Sequence, residues 1–213
     1  MTTSEAIAAK TEKIKMQRDA YRELLKMRDY FHLRYGKTRQ EELDKSLLKF
    51  AKTGGFINQL DVNRVEIENR IVRLMIAAGA NPDSNLFWQF MYLDNLKPHC
   101  ALEIAKADGF KQPRDLDIIF KIIAEDALKQ QIQHGKIFQY AYHETEKEFE
   151  NRKKISAYTQ ELVYTLFEKG MKPKNPQILK DLQPIYEAEK KRLAQASRPT
   201  SNTPTGGRSG VSR

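Results

Sequence analysis

Apolar side chains recur along most of the chain at the three-to-four-residue spacing of an amphipathic helix. Near the start, Ile14, Tyr21 and Leu24 follow this spacing and predict one long helix over 4–35, ended by Gly36. Lysine and arginine occupy much of the remaining surface of that helix. The same period returns in successive segments up to about residue 195, and it predicts an all-α fold.

A nine-residue phrase occurs twice within this helical pattern. The first phrase, 48–56, reads LKFAKTGGF, and the second phrase, 102–110, reads LEIAKADGF. Each copy predicts a helix ended by glycine and followed by an aromatic residue that packs back on it. A helical hairpin used more than once predicts an irregular stack of helical hairpins, an architecture that commonly binds other proteins.

The helices that carry the two phrases have recognisable beginnings. Thr38 and Glu41 have capping-box spacing, which predicts a helix over 38–53. Pro98 predicts the first turn of the helix with the second phrase, because the missing amide hydrogen of proline is not needed there.

The segment 84–95 is the densest aromatic cluster of the chain. One interpretation places these side chains in the core. The other makes them an exposed groove for a partner, because aromatic side chains anchor interfaces well. The candidate partner-binding residues are Leu86, Phe87, Trp88, Phe90, Met91 and Tyr92.

Parts of the chain resemble ankyrin repeats. Residues 72–83, VRLMIAAGANPD, resemble the second helix and turn of such a repeat, V-x-L-L-L-x-x-G-A-x-P-N. The two phrases resemble its first helix, and the resemblance touches 46–83, 101–127 and 160–174. The Thr-Pro-Leu-His signature is absent, and the phrases lie 54 residues apart, whereas an ankyrin period is about 33 residues. The resemblance implies an interaction module without chemistry; another α-bundle with coincident hairpins is the alternative.

Composition narrows the class of protein. Hydrophobic residues make up 40% and charged residues 31% of the chain. No apolar run approaches the roughly 18 to 20 residues of a membrane-spanning helix, and the first 15 residues lack the apolar core of a signal peptide. The single cysteine, Cys100, excludes an internal disulfide and a multi-cysteine zinc cluster. We therefore expect a reducing, cytoplasmic location, either the bacterial cytosol or the cytosol of a host cell.

Charge separates the ends of the chain from its middle. The net charge is +9 overall, made up of +5 in 1–55, −2 in 56–189 and +6 in 190–213. With the helical pattern, this distribution predicts an amphipathic basic N-terminal helix over 1–37, a helical-hairpin domain over 38–195 and a disordered basic tail over 196–213.

Signals for catalysis are poor. The chain has no phosphate-binding glycine motif, no G-x-S-x-G and no H-E-x-x-H. His99 and Cys100 are neighbours at a predicted helix start, where we expect their side chains to diverge and Cys100 to be a small buried residue. We predict no catalytic, cofactor-binding or metal-binding residues.

These patterns favour a non-enzymatic adaptor or scaffold that binds a protein partner within a larger complex. Two settings fit this prediction: a subunit of a bacterial secretion assembly, and a bacterial effector. The alternative is a nucleic-acid-associated protein that uses the basic N-terminal helix and tail. Contact of the N-terminal helix with a membrane surface is a further alternative.

Overall fold

The computed structural model of the protein describes residues 3–57, 63–91, 96–125 and 146–197. In chain order the helices are α1 (Thr3–Lys26), α2 (Arg39–Thr53), α3 (Arg64–Ala77), α4 (Ser84–Met91), α5 (Pro98–Lys106), α6 (116–125), α7 (Glu146–Glu168) and α8 (Pro176–Ala196). A short 3-10 turn, Arg28–Tyr30, follows α1. The described residues contain no β-strand, which confirms the all-α prediction.

The helices form a stack around one core. α1, α3, α5, α7 and α8 follow one another as packed neighbours, while α4 joins α2 to α5. α6 lies against α7, where the rings of Phe120 and Phe167 are 5.6 Å apart between centroids. The buried apolar side chains of these elements make one continuous cluster. α5 is enclosed because α3, α4 and α7 all pack on it.

The predicted single helix over 4–35 is wrong in its last part. α1 ends at Lys26, and Phe31 has extended backbone (φ −151°, ψ 159°) with its side chain 2% exposed. Two backbone groups of this stretch bond to other segments: the amide of Arg34 donates to Oγ of Ser46 on α2 at 2.8 Å, and the carbonyl of Tyr30 accepts from the amide of Phe56 at 2.9 Å. Tertiary hydrogen bonds thus take the place of hydrogen bonds within the helix. The helix ends at Lys26, ten residues before the predicted end at Gly36.

The local signals of α2 act largely as predicted. Oγ1 of Thr38 accepts a hydrogen bond from the amide of Glu41 at 3.2 Å, while the Glu41 carboxylate accepts from the amide of Lys37 at 2.8 Å. At the other end Gly54 has φ +74° and its amide donates to the carbonyl of Phe50. The cap and the glycine end therefore fix α2 at both termini.

α1 consists of two different halves. Leu24 near its end, like Met27 directly after it, belongs to the core that α2–α8 share, whereas residues 4–16 are exposed. The N-terminal segment 1–37 is therefore attached to the body through the second half of α1. The predicted disordered tail lies outside the described residues, except for its first two residues, 196–197.

Candidate functional site

The aromatic segment supplies packing rather than a surface. Leu86 is 5% exposed, and Phe87, Phe90 and Met91 are 0% exposed. Phe87 packs on Phe110 with ring centroids 5.3 Å apart. These four side chains offer no surface to a partner in this fold, which corrects the placement of the predicted binding surface.

The other two candidates of that segment differ. Trp88 is half-buried, and its Nε1 donates a hydrogen bond to the carbonyl of Arg114 at 3.2 Å. Tyr92 lies outside the described residues. The six candidates are therefore not brought together into one exposed site by the part of the chain that the structure describes.

Charged side chains contact one another in the interior, in a cluster that the sequence analysis did not predict. Glu68 of α3 lies between Lys97, which directly precedes α5, and His99 in the first turn of α5. Lys97 Nζ is 2.7 Å from Glu68 Oε1, and His99 Nε2 is 2.8 Å from Glu68 Oε2. The three side chains are 2–3% exposed. We call Glu68, Lys97 and His99 the ionic cluster; Arg64 Nε also reaches Glu68 Oε1, at 3.1 Å.

The ionic cluster ties together elements far apart in the chain. The amide of Lys97 donates to the carbonyl of Phe90 at the end of α4, at 2.8 Å. Its ammonium group lies 5.5 Å from the ring centroid of Phe50 on α2. It also lies beside Gly54, where an added Cβ would be 2.8 Å from Nζ. One buried lysine therefore contacts groups from α2, α3 and α4 at the start of α5.

The environment shifts the ionisation of the cluster. Burial raises the pKa of Glu68, but the hydrogen bond from His99 and the charge of Lys97 outweigh it and lower that pKa to about 2. Burial lowers the pKa of His99, and its hydrogen bond with Glu68 offsets this only in part. Nδ1 of His99 is buried without a hydrogen-bond partner in the described structure. A second proton on the imidazole would thus be buried without an acceptor.

Glu68, His99 and Cys100 are also the one group of possible metal ligands found among the described residues, with ligand atoms within 4.8 Å of one another. Both oxygens of Glu68 are already engaged, and the cationic groups of Lys97 and Arg64 next to it oppose a further cation. Burial raises the pKa of the Cys100 thiol well above its usual value, which disfavours the nucleophilic thiolate. The arrangement is suited to joining helices.

A surface groove is the second feature missed by sequence reasoning. It lies between α1, the turn after α3 and the end of α5, and its volume is about 1300 Å³. Apolar side chains in its lining include Ala9, Met16, Ala20, Ile76 and Ala77. The spacing of Ala9, Met16 and Ala20 on one helix face was visible in the sequence, but the space beside that face was not.

The exposed half of α1 therefore has two distinct faces. The groove face consists of five residues of α1 that line the groove, namely Ala9, Glu12, Lys13, Met16 and Gln17. Met16 on this face is 64% exposed. Ile7 and Ile14, 63% and 55% exposed, do not line the groove and form the outer face. At about 100° per residue, Ile14 lies roughly 160° around the helix from Met16.

Comparisons with protein-family models, with curated proteins and with solved structures find no match for this chain. Among the helices of the described residues, none has both the length and the apolarity to cross a lipid bilayer.

Proposed function

We propose that the protein is a non-enzymatic interaction scaffold whose groove receives a helix from another polypeptide chain. The observation that carries this proposal is the groove itself, with Met16 exposed on one wall and Ile76 and Ala77 on the other. Exposed apolar surface bordered by charged residues is typical of a protein interaction site.

The dimensions of the groove support a helical ligand. A helix with side chains is about 10–12 Å across and rises about 1.5 Å per residue, so 1300 Å³ corresponds to roughly two to three turns. The exposed half of α1 adds a second argument. A helical segment of this length is marginal in water without tertiary contacts, so a partner helix would stabilise it.

The chemistry of the interior supports a scaffold rather than a catalyst. The ionic cluster is sealed from solvent, and the Cys100 thiol next to it is held protonated by burial. The two settings predicted from sequence, a secretion assembly and a bacterial effector, are both contexts for a scaffold of this kind.

Site-specific photo-crosslinking tests the proposal. A photoreactive amino acid in place of Met16 should capture a polypeptide in cells, and mass spectrometry should map the crosslink to an amphipathic helical segment. Ile118 on α6, which is 52% exposed, provides the matched control position because it lies outside the groove. Equal capture at both positions, or none at Met16, would reject the groove as a binding site.

The alternative of nucleic-acid association depends on lysine and arginine residues of α1 and of the tail, and most of the tail lies outside the described residues. On α1, Arg22 and Lys26 already pair with Asp19 and Glu23. A salt titration with nonspecific DNA or RNA tests this alternative, because binding through phosphates weakens steeply as salt rises.

A further inference from the structure

The groove face carries an arrangement that is complementary to itself. From it we infer that the occupant of the groove is α1 of a second copy of this chain, which lies antiparallel to α1 about a two-fold axis close to Glu12 and Lys13. This inference rests on the proposed function and names the partner. In such a dimer each α1 fills the groove of the other copy, so the contact is isologous and closed.

Charge is the first argument. Glu12 and Lys13 are adjacent on the groove face, and in the described structure neither side chain makes a hydrogen bond or an ion pair. Neighbours in sequence on a helix do not face each other, so these two side chains are not placed to neutralise one another. An antiparallel copy places each Glu12 beside the partner's Lys13 and repeats that pair by symmetry.

Side-chain size is the second argument. With the axis between residues 12 and 13, Ala9 faces the partner's Met16. The small side chain of an early turn therefore meets the larger one of a later turn, so the surfaces interdigitate. Met16 is 64% exposed in the single chain. In this arrangement the Met16 side chains of both copies become covered.

The opposite orientation is unfavourable. In a parallel pair Glu12 would face Glu12, Lys13 would face Lys13 and Ala9 would face Ala9. Like charges in contact destabilise a helix pair. Met16 would also meet the partner's Met16, so the two large side chains would crowd each other while the two small Ala9 side chains faced each other. Antiparallel packing also places the two helix dipoles in opposite directions.

Sedimentation analysis of the purified full chain tests the dimer directly. The wild-type chain should sediment as a concentration-dependent dimer. Met16→Glu places one charge from each copy in the apolar contact. It should raise the dissociation constant of the dimer at least about tenfold, which corresponds to about 1.4 kcal/mol. Ile14→Glu is the matched control, because it adds the same charge to an exposed position on the outer face, and it should leave the dimer unchanged. Circular dichroism should show the same helicity in all three proteins.

A charge swap tests the pairing. Glu12→Lys and Lys13→Glu, each alone, should weaken the dimer by about threefold to thirtyfold, because each replaces two exposed attractions by two repulsions. The double variant Glu12→Lys/Lys13→Glu restores opposite charges across the axis and should recover most of the wild-type affinity. Additive losses in the double variant would contradict the pairing.

Engineered disulfides test the orientation. Equal amounts of an Ala9→Cys chain and a Met16→Cys chain should give mainly mixed disulfides under mild oxidation if the helices are antiparallel, and mainly like-with-like disulfides if they are parallel. The native Cys100 is 0% exposed and does not compete while the chain is folded.

A wild-type chain that stays monomeric at the highest concentration it tolerates would overturn this inference. So would a dimer that Ile14→Glu weakens as much as Met16→Glu does. Either result leaves the proposed function to be judged separately, because crosslinking at Met16 to a different protein would support a groove that binds another chain. Absence of any crosslinked chain at Met16 would reject both.

Discussion

The two phrases have nearly the same sequence and different structural roles. Leu48 of the first phrase is 38% exposed, while Leu102 at the same position of the second phrase is 0% exposed. Phe56 is 57% exposed and touches the ring of His32, while its counterpart Phe110 is 8% exposed and packs on a core ring. The leucine and the last phenylalanine therefore lie at the surface in the first copy and in the core in the second, whereas the middle apolar residues of both copies are buried.

The number of neighbouring helices explains the difference. α5, which carries the second phrase, is enclosed by α3, α4 and α7, whereas α2 packs mainly on α4. The two helices end differently: Gly54 in the left-handed conformation (φ +74°) caps α2, whereas Ala107 in the extended conformation (φ −62°, ψ 147°) caps α5, so the predicted glycine end is confirmed for α2 and wrong for α5. The glycine before the last phenylalanine still has a positive φ in both phrases, +70° at Gly55 and +81° at Gly109. A short sequence can thus fix a glycine turn, while the position of a helix in the stack decides how much that helix is buried.

Truncation of the two leucines should show the largest contrast between the phrases. Leu102→Ala removes a fully buried side chain and leaves a cavity, so it should lower the free energy of unfolding by about 2–5 kcal/mol. Leu48→Ala should lower it by less than about 1 kcal/mol, because the side chain already meets water. Urea unfolding followed by circular dichroism measures both. Equal losses would show that α2 and α5 are buried alike.

Substitution of the corresponding glycines, Gly55 and Gly109, should show a smaller difference in stability. Here the first phrase should lose more stability than the second. An added Cβ at Gly55 would collide with the carbonyl of Tyr30 and lie 2.8 Å from the Phe50 ring, whereas one at Gly109 meets nothing within 4 Å. Both substitutions strain a left-handed backbone by about 1–2 kcal/mol. Gly55→Ala should therefore cost at least about 1 kcal/mol more than Gly109→Ala, since overpacking adds to the strain. The same unfolding assay checks this, and a larger loss at Gly109 would contradict the placement of the Tyr30 turn.

The smallest difference between the two phrases should appear in how stability depends on pH. His99 lies in the first turn of the helix of the second phrase. Its pKa is lowered by burial, so the unfolded chain binds this proton more readily than the folded one. The stability that depends on the neutral imidazole is thus present above pH 6.5 and declines as pH falls below that ordinary value. The lowered pKa of Glu68, about 2, adds a second loss as pH falls below 4.5.

His99→Gln should flatten the first of these two declines, because glutamine can still donate to Glu68 but does not titrate in this range. Unfolding curves at several pH values between 7.5 and 5.5 measure the slope. His32→Gln, at the exposed histidine beside Phe56 of the first phrase, is the matched control and should leave the slope as in the wild type. An identical slope in His99→Gln would remove His99 as the source of the pH dependence.

Candidate sites were harder to predict than elements. The aromatic segment 84–95 had two interpretations, and the burial of Phe87 and Phe90 favours the core because α2 and α5 both pack on α4. The ionic cluster could not be predicted, because Glu68 and Lys97 are 29 residues apart and meet only when α3 packs beside α5. No local pattern marks a carboxylate that will be buried.

The sequence by itself determined the all-α class, the cap at Thr38, the glycine that ends α2 and the proline start of α5. These features depend on backbone conformations and hydrogen bonds within a few residues, so the types of the neighbouring residues decide them. Only the tertiary structure decided how deeply each phrase is buried, where α1 leaves the body and which charges meet inside. Helical periodicity shows which face of a helix is apolar, but the number of neighbours that cover this face depends on contacts between distant parts of the chain.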